Sequence, residues 1–251
     1  MLSFFAKYKT FAIVMLILSA VILSIFYFLM KPPATLQVYQ PTMVDATLVD
    51  TSMRDVKKYH HIADFKLVNQ NGDTITQDDY PGIYVADFFF TTCQTICPIM
   101  TDHMLQIQEK LKDDPSVKLL SHTVIPATDT VAQLKRYAVE KGVDDSKWNL
   151  VTGSKKEIYE LARKSYLAVK TQGNGDKYDM IHTENFMLID SKKRIRGFYD
   201  GTDPEAIEQL LEDIAFDAPD NGGTTVNITE KMVNNTLGEV AKDVDLSRYI
   251  L

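Results

Sequence analysis

The sequence predicts an α/β fold, a sheet covered by helices on both faces and preceded by one membrane-spanning helix, and three observations predict it. Strand-like and helix-like runs alternate with short connections from about Phe65 to Phe216, the pattern of a sheet with helices on either side. A charge-free apolar run, Thr10 to Met30, has the length and uniformity of a single bilayer span. The 251 residues, 45% hydrophobic and 24% charged, suffice for an anchor plus one domain, since domains commonly run to about 100–200 residues.

Taking the elements in order, residues 10–30 (TFAIVMLILSAVILSIFYFLM) contain no polar residue except Thr10, Ser19 and Ser24. About 20 such residues, rising ~1.5 Å each, cross a ~30 Å hydrocarbon core. A cleavable signal has a shorter apolar stretch, roughly 7–15 residues, and a small-residue exit. Here the exit is Met30-Lys31-Pro32-Pro33, so 10–30 is expected to be retained as an anchor. Lys7 and Lys9 then hold the short segment 1–9 in the cytoplasm and send the bulk of the chain across. No Arg-rich transit segment precedes the span, so the expected location is the periplasmic face of a bacterial inner membrane.

Residues 31–60 read as a tether, punctuated by Pro32, Pro33 and Pro41 and without a clear apolar period. A domain over 61–216 follows. Phe65–Val68 and Asp73–Thr76 flank the turn Asn69-Gln70-Asn71-Gly72 as a hairpin. Ile83–Phe90 is a buried strand, interrupted in its apolar run only by Asp87. A cysteine-containing loop comes next, and Pro98 suits the first turn of a helix to about Lys112. Val117–Ile125 is a strand, Thr128 or Asp129 caps a helix to about Lys141, Trp148–Val151 is a strand, and Ser154 caps a helix to about Ser165. Leu167–Thr171, Phe186–Asp190 and Ile195–Tyr199 read as strands, and Asp203-Pro204 opens a last helix to about Phe216. Residues 217–251 lose periodicity and receive no role.

The lysines at 7, 9 and 31 leave 24 basic residues against all 34 acidic ones from residue 33 onward, a net charge of −10. That balance argues against nucleic acid or an anionic lipid surface as partner. The chemistry concentrates instead in Cys93-Gln-Thr-Ile-Cys97-Pro98, which holds the only two cysteines. One pair in a full-sized domain is more often chemical than structural, and a disulfide closing so small a loop constrains the unfolded chain little. Two uses remain open. A thiol at a helix start is favoured as thiolate and can exchange with a disulfide, while two sulfurs four positions apart can converge on one soft ion if the loop is helical. A cuprous ion accepts two thiolates and one imidazole. Of the five histidines, His182 lies in a loop before a predicted strand and can reach over the cysteines, His103 sits on a helix face, His122 lies within a strand, and His60 and His61 form a solvated pair. Asp87 is either a proton relay beneath the thiols, its pKa raised by burial, or a hydrogen-bonded structural acid or the mark of a bulge.

With those residues in place the sequence resembles the Sco/SenC family of membrane-anchored, thioredoxin-like copper chaperones for cytochrome c oxidase. The resemblance runs from about Phe65 to Phe216 and rests on NQNGDTIT, FFFTTCQTICPIM, DTVAQLKRYA, KWNLVTG and IHTENFMLID. It implies a thioredoxin-like fold with a central mixed sheet, and a copper site, Cu(I) or Cu(II), made by Cys93, Cys97 and His182. It also implies an upstream copper donor, and transfer to the binuclear centre of oxidase subunit II or another copper enzyme. Thiol reduction of that subunit is implied as an associated role; the alternative is a membrane-tethered thiol–disulfide oxidoreductase that uses Cys93 and Cys97 as a redox pair to reduce a partner's cysteines and carries no metal. Gln94 stands where many members have proline, and Ile125 where many carry the aspartate of an Asp-Pro pair, which removes one nearby carboxylate.

Overall fold

The computed structural model describes residues 9–30, 36–50, 52–169 and 181–217; residues 1–8, 31–35, 51, 170–180 and 218–251 lie outside them, as does most of the unassigned carboxyl-terminal stretch. The chain forms two units, Met1–Thr35 and Leu36–Leu251. In the first, helix α1 covers Lys9–Met30. Its described side chains, 9 and 11–27, are exposed. Among the described residues no helix is long and apolar enough to cross a membrane, so the anchor over 10–30 stays an expectation.

In the second unit, strands β1 (Lys66–Asn69), β2 (Thr74–Thr76), β3 (Ile83–Phe89), β4 (Val117–Thr123), β5 (Trp148–Thr152), β6 (Asn185–Ile189) and β7 (Ile195–Asp200) form one sheet in the order β2-β1-β5-β4-β3-β6-β7. The inner strands β3, β4 and β5 are parallel, and every other pairing is antiparallel. Helices α2 (Ile96–Lys110), α3 (Val131–Lys141), α4 (Lys155–Glu160) and α5 (Pro204–Asp217) complete it. The two-residue period of the strands sorts their side chains onto two faces. Tyr84, Ala86, Phe88 and Leu120 join a core beneath α4. Ile83, Val85, Phe89 and Leu119 join a second core, with Met100 and Met104 of α2, Leu134 of α3 and Leu210 of α5. The fully buried β3 thus reads as a continuous apolar run because both of its faces are covered.

Three expectations change. Helix α3 is capped by Thr130, whose hydroxyl accepts from the Gln133 N–H; the sequence offered three polar residues in a row, and the turn Ile125–Asp129 decides between them. The expected strand Leu167–Thr171 is absent among its described residues. Helix α4 runs into a π-helical turn at Leu161–Ser165, and Leu167 then takes a left-handed backbone (φ 52°) that no strand accommodates. Its apolar run is a buried loop packed on the α4-side core.

The third concerns residues 36–60, read as a tether. They lie against the sheet. The Tyr39 N–H donates to the Ile195 carbonyl, and the Arg196 guanidinium donates to the carbonyls of Leu36 and Gln37. His60, expected to be solvated, is buried, with its Nε2 2.7 Å from the Ser165 carbonyl and its N–H donating to Gln40. His61 is the exposed one of the pair.

Candidate metal and thiol site

Parallel strands β3 and β4 end side by side, and the loop leaving β3 carries the cysteines into α2. The N-cap residue of that helix, Thr95, makes no side-chain cap hydrogen bond. Its hydroxyl lies 3.5 Å from the Cys93 sulfur instead. The backbone N–H groups of Thr95 and Cys97, at the start of the helix where donors are left unpaired, lower the pKa of that sulfur. Cys93 therefore occupies the acceptor role of a cap, from outside the helix, while Cys97 lies in its first turn. The two sulfurs meet across the helix start and not along one helical face.

The thiols are free and differ sharply. Cys93 is half-buried and Cys97 buried. Burial pushes the Cys93 thiol up, but the Thr95 hydroxyl, the N–H groups of Thr95 and Cys97, and the Cys97 thiol together bring it down to about 7. For Cys97, burial dominates; the Phe90 N–H opposes it, while the thiol's own hydrogen bond to Cys93 and the nearby Cys93 and Asp87 charges add to it, giving about 12. One sulfur is poised as thiolate and its neighbour holds a proton.

Asp87 lies on the α2-facing side of β3, between Val85 and Phe89, the side that holds Cys97. It is buried, its Oδ1 has no hydrogen-bond partner, and burial raises it to about 7 against the lowering hydrogen bond of Ser121. His122, on the opposite face, is stacked on Phe88 with centroids 4.8 Å apart and has an unpartnered Nε2; burial lowers it to about 4. His103 is on α2 but faces inward, with Nδ1 2.7 Å from the Gly201 carbonyl.

Strand β6 runs antiparallel to β3 with Ala86 opposite Met187, and continuing that register brings residues 182 and 183 beside the end of β3. The exposed His182 ring accordingly sits edge-on to Phe90, 5.9 Å between centroids. Among the described residues no three His, Cys, Asp or Glu side chains are grouped closely enough to hold a metal ion. The structure thus brings Cys93 and Cys97 together and leaves His182 at the rim, beside the residue from which the cysteine loop springs. A groove of about 680 Å³ between residues 53–64 and 157–165 is lined by none of the three.

Sequence reasoning missed Asp129 as part of this region. Its fully buried carboxylate accepts from the Thr91 hydroxyl (2.6 Å), the Thr91 N–H (3.1 Å) and the Thr123 hydroxyl (2.5 Å). A nearby acid is therefore supplied four residues beyond Ile125; the only sequence signal was its place in DTVAQLKRYA, which also fits a cap.

A mixed sheet with helices on both faces, and a Cys-x-x-x-Cys pair between an inner parallel strand and its helix, define a thioredoxin-like thiol protein. Residues 54–216 match the SCO1/SenC family, and the chain belongs to it. It is 32% identical over 158 residues to a SCO1 protein homolog of Bacillus subtilis, covering 62% of this chain and 81% of that one. A SCO1/SenC family lipoprotein from Bacillus anthracis superposes with a TM-score of 0.55 at 31% identity, over 62% of this chain and 94% of that one. BsSco, described as having a disulfide switch and as a member of the Sco family of cytochrome c oxidase assembly proteins, gives 0.54 at 31%, over 64% and 94%.

Proposed function

We propose that this protein is a membrane-anchored copper carrier of oxidase assembly, binding copper through Cys93, Cys97 and His182 on the exported side and passing it to subunit II of cytochrome c oxidase or another copper enzyme. The observation that carries the reading is the paired sulfurs at the solvent-facing start of α2, one favoured as thiolate, with an exposed imidazole at the same end of the neighbouring strands. Two soft sulfurs and one nitrogen suit cuprous copper, and cargo needs a site that opens. The His182 ring must leave Phe90 to close the third position, which makes uptake and release a matter of one side chain and its loop. The description of BsSco as an assembly protein for the oxidase points to the same acceptor class, and the apolar run 10–30 supplies the anchor.

Anaerobic copper titration of the reduced full chain in detergent micelles tests this. One copper per chain is expected, with two sulfurs and one nitrogen by X-ray absorption. His182→Ala should weaken binding beyond the roughly 10–100-fold cost of losing a second-shell partner. Full affinity in that variant removes the histidine from the site, and no copper uptake by the wild type ends the carrier reading.

The opposed protonation of the thiols favours a second activity. The Cys93 thiolate attacks a target disulfide, the released target sulfur takes a proton, and Cys97, once deprotonated, attacks Cys93 to free the second target thiol. The target gains two electrons and the chain ends as the Cys93–Cys97 disulfide. This turnover needs no imidazole, so it should survive His182→Ala and vanish in Cys93→Ser.

A further inference from the structure

We propose that Asp129 is the positioning residue of the reactive sulfur pair, holding the cysteine loop through Thr91 so that the start of α2 stays aimed at Cys93. The inference rests on Cys93 and Cys97 being a reactive pair and deepens that reading.

Strand β3 ends at Phe89, whose carbonyl accepts the Val124 N–H and so ties the ends of β3 and β4 together. Beyond that point a single turn, the Cys93 N–H to the Phe90 carbonyl at 3.3 Å, leads to the sulfur. Thr91 sits inside the turn, and both its N–H and its hydroxyl donate to Asp129, while its hydroxyl accepts from Gln133 Nε2 at 3.0 Å. Thr123, the last residue of β4, donates to the same carboxylate. Asp129 is itself fixed by its N–H to the Ile125 carbonyl, 2.9 Å.

One buried carboxylate thus joins the end of β4, the start of α3 and the cysteine turn. Three donors converge on it, two of them from the residue two places before Cys93. A carboxylate has only acceptors to offer, and an amide in its place must turn an N–H₂ toward at least one of these donors. Asp129→Asn therefore releases the turn while nearly preserving volume. The Cys93 turn, closed by its N–H on the Phe90 carbonyl, then loses its fixed place against the start of α2, the Thr95 hydroxyl 3.5 Å from the Cys93 sulfur loses its aim, and the reduced pair is weakened relative to the disulfide.

The test is metal-free. The full chain in detergent micelles is equilibrated with glutathione buffers, in which Cys93 and Cys97 give two electrons and two protons to glutathione disulfide, yielding two glutathiones and the Cys93–Cys97 disulfide. Wild type, Asp129→Asn, Thr91→Val and the cap variant Thr130→Ala are compared, with Tm measured on each. Asp129→Asn should shift the equilibrium about tenfold toward disulfide, about 30 mV for a two-electron couple, with a smaller shift of the same sign in Thr91→Val. Thr130→Ala, which destabilises α3 without touching Thr91, should lower Tm and leave the equilibrium unchanged. Should Asp129→Asn not fold, Thr91→Val carries the comparison. If both variants of the tether leave the equilibrium within twofold of wild type, or Thr130→Ala shifts it equally, Asp129 serves only stability and the proposal fails. A wild-type pair that forms no disulfide in any buffer sinks the underlying reading and this inference with it; failure of copper uptake alone sinks only the carrier.

Discussion

At the residue level, two sulfurs four positions apart are set to opposite protonation states, one by the donors around it and the other by burial. Cys93, brought to about 7, should react with iodoacetamide at a rate that rises through pH 7 and levels above pH 8, because only the thiolate attacks. Cys97, held near 12 by burial, should stay unmodified across that range; peptide-resolved mass spectrometry checks both, and faster labelling of Cys97 contradicts the assignment. Two other buried groups make a stability prediction. Asp87, raised from 3.8 to about 7, keeps its proton when folded and loses it when unfolded between those values, so its contribution falls as pH rises through that window. His122, lowered from 6.5 to about 4, stays neutral when folded while the unfolded chain binds a proton, so its contribution grows as pH rises from 4 to 6.5. The two slopes oppose each other in wild type. In urea melts, Asp87→Asn should expose the histidine slope, with stability lost below pH 6.5. It should also gain stability relative to wild type at pH 8, by at most about 4 kcal/mol. His122→Phe should leave the opposite slope, and parallel profiles in all three proteins refute the assignment. The cysteines, Asp87 and His182 stood out in the sequence because their types break the local pattern. Asp129 and His60 did not, because their roles come from Thr91, Thr123, Ser165 and Gln40, partners distant along the chain.

Among the elements, those whose side chains follow a simple period were legible and those fixed by backbone geometry were not. The β1–β2 hairpin, β3 and the β6–β7 pair could be read from apolar alternation or continuity. The stretch after α4 misled because its residues are apolar enough for a strand, while the π-helical turn and the left-handed Leu167 turn it into a buried loop. The start of α3 offers a clean test of such local control. Thr130→Ala should cost about 1 kcal/mol in urea melts, the usual value of an N-cap hydroxyl. Thr128→Ala, outside the cap, should change stability by less than about 0.5 kcal/mol; equal losses would return the cap to the position first expected. The entry to β3 is fixed more severely. At Gly82 a Cβ would stand 2.1 Å from the Ser116 carbonyl oxygen, while the Ile83 N–H donates to that same oxygen. Gly82→Ala must push two parallel strands apart where their register begins, and should cost about 2–3 kcal/mol. A neutral outcome would show that the β3–β4 entry is looser than this contact requires.

Across the whole molecule, the segment that seemed to be only reach is part of the folded unit, and several of its attachments lie on the strand pair that follows His182. Arg196 of β7 is buried and donates to Asp190 (3.0 Å), the Leu36 carbonyl (2.6 Å) and the Gln37 carbonyl (3.3 Å). Tyr39 packs edge-on to Phe198, 5.3 Å between centroids, and His60 holds the Ser165 carbonyl. The sequence concealed this because backbone carbonyls, the acceptors that bind Arg196, leave no residue signature. A chain beginning at Leu36 keeps all of these contacts, whereas one beginning at Ile62 strips two acceptors from a buried guanidinium and uncovers Phe198. Each polar loss of this kind costs about 1–3 kcal/mol, so the shorter chain should be less stable by about 3–5 kcal/mol, lowering Tm by roughly 10 °C for a unit of this size. The difference should be concentrated at the β6–β7 edge, where amide hydrogen exchange ought to accelerate in Ile195–Tyr199 and not in β4. Because β6 begins three residues after His182, on the proposed copper-carrier function loosening that edge should also weaken copper uptake while leaving the Cys93–Cys97 disulfide equilibrium near its wild-type value. Equal stability and exchange in the two chains would mean that residues 36–60 rest on the sheet without holding it.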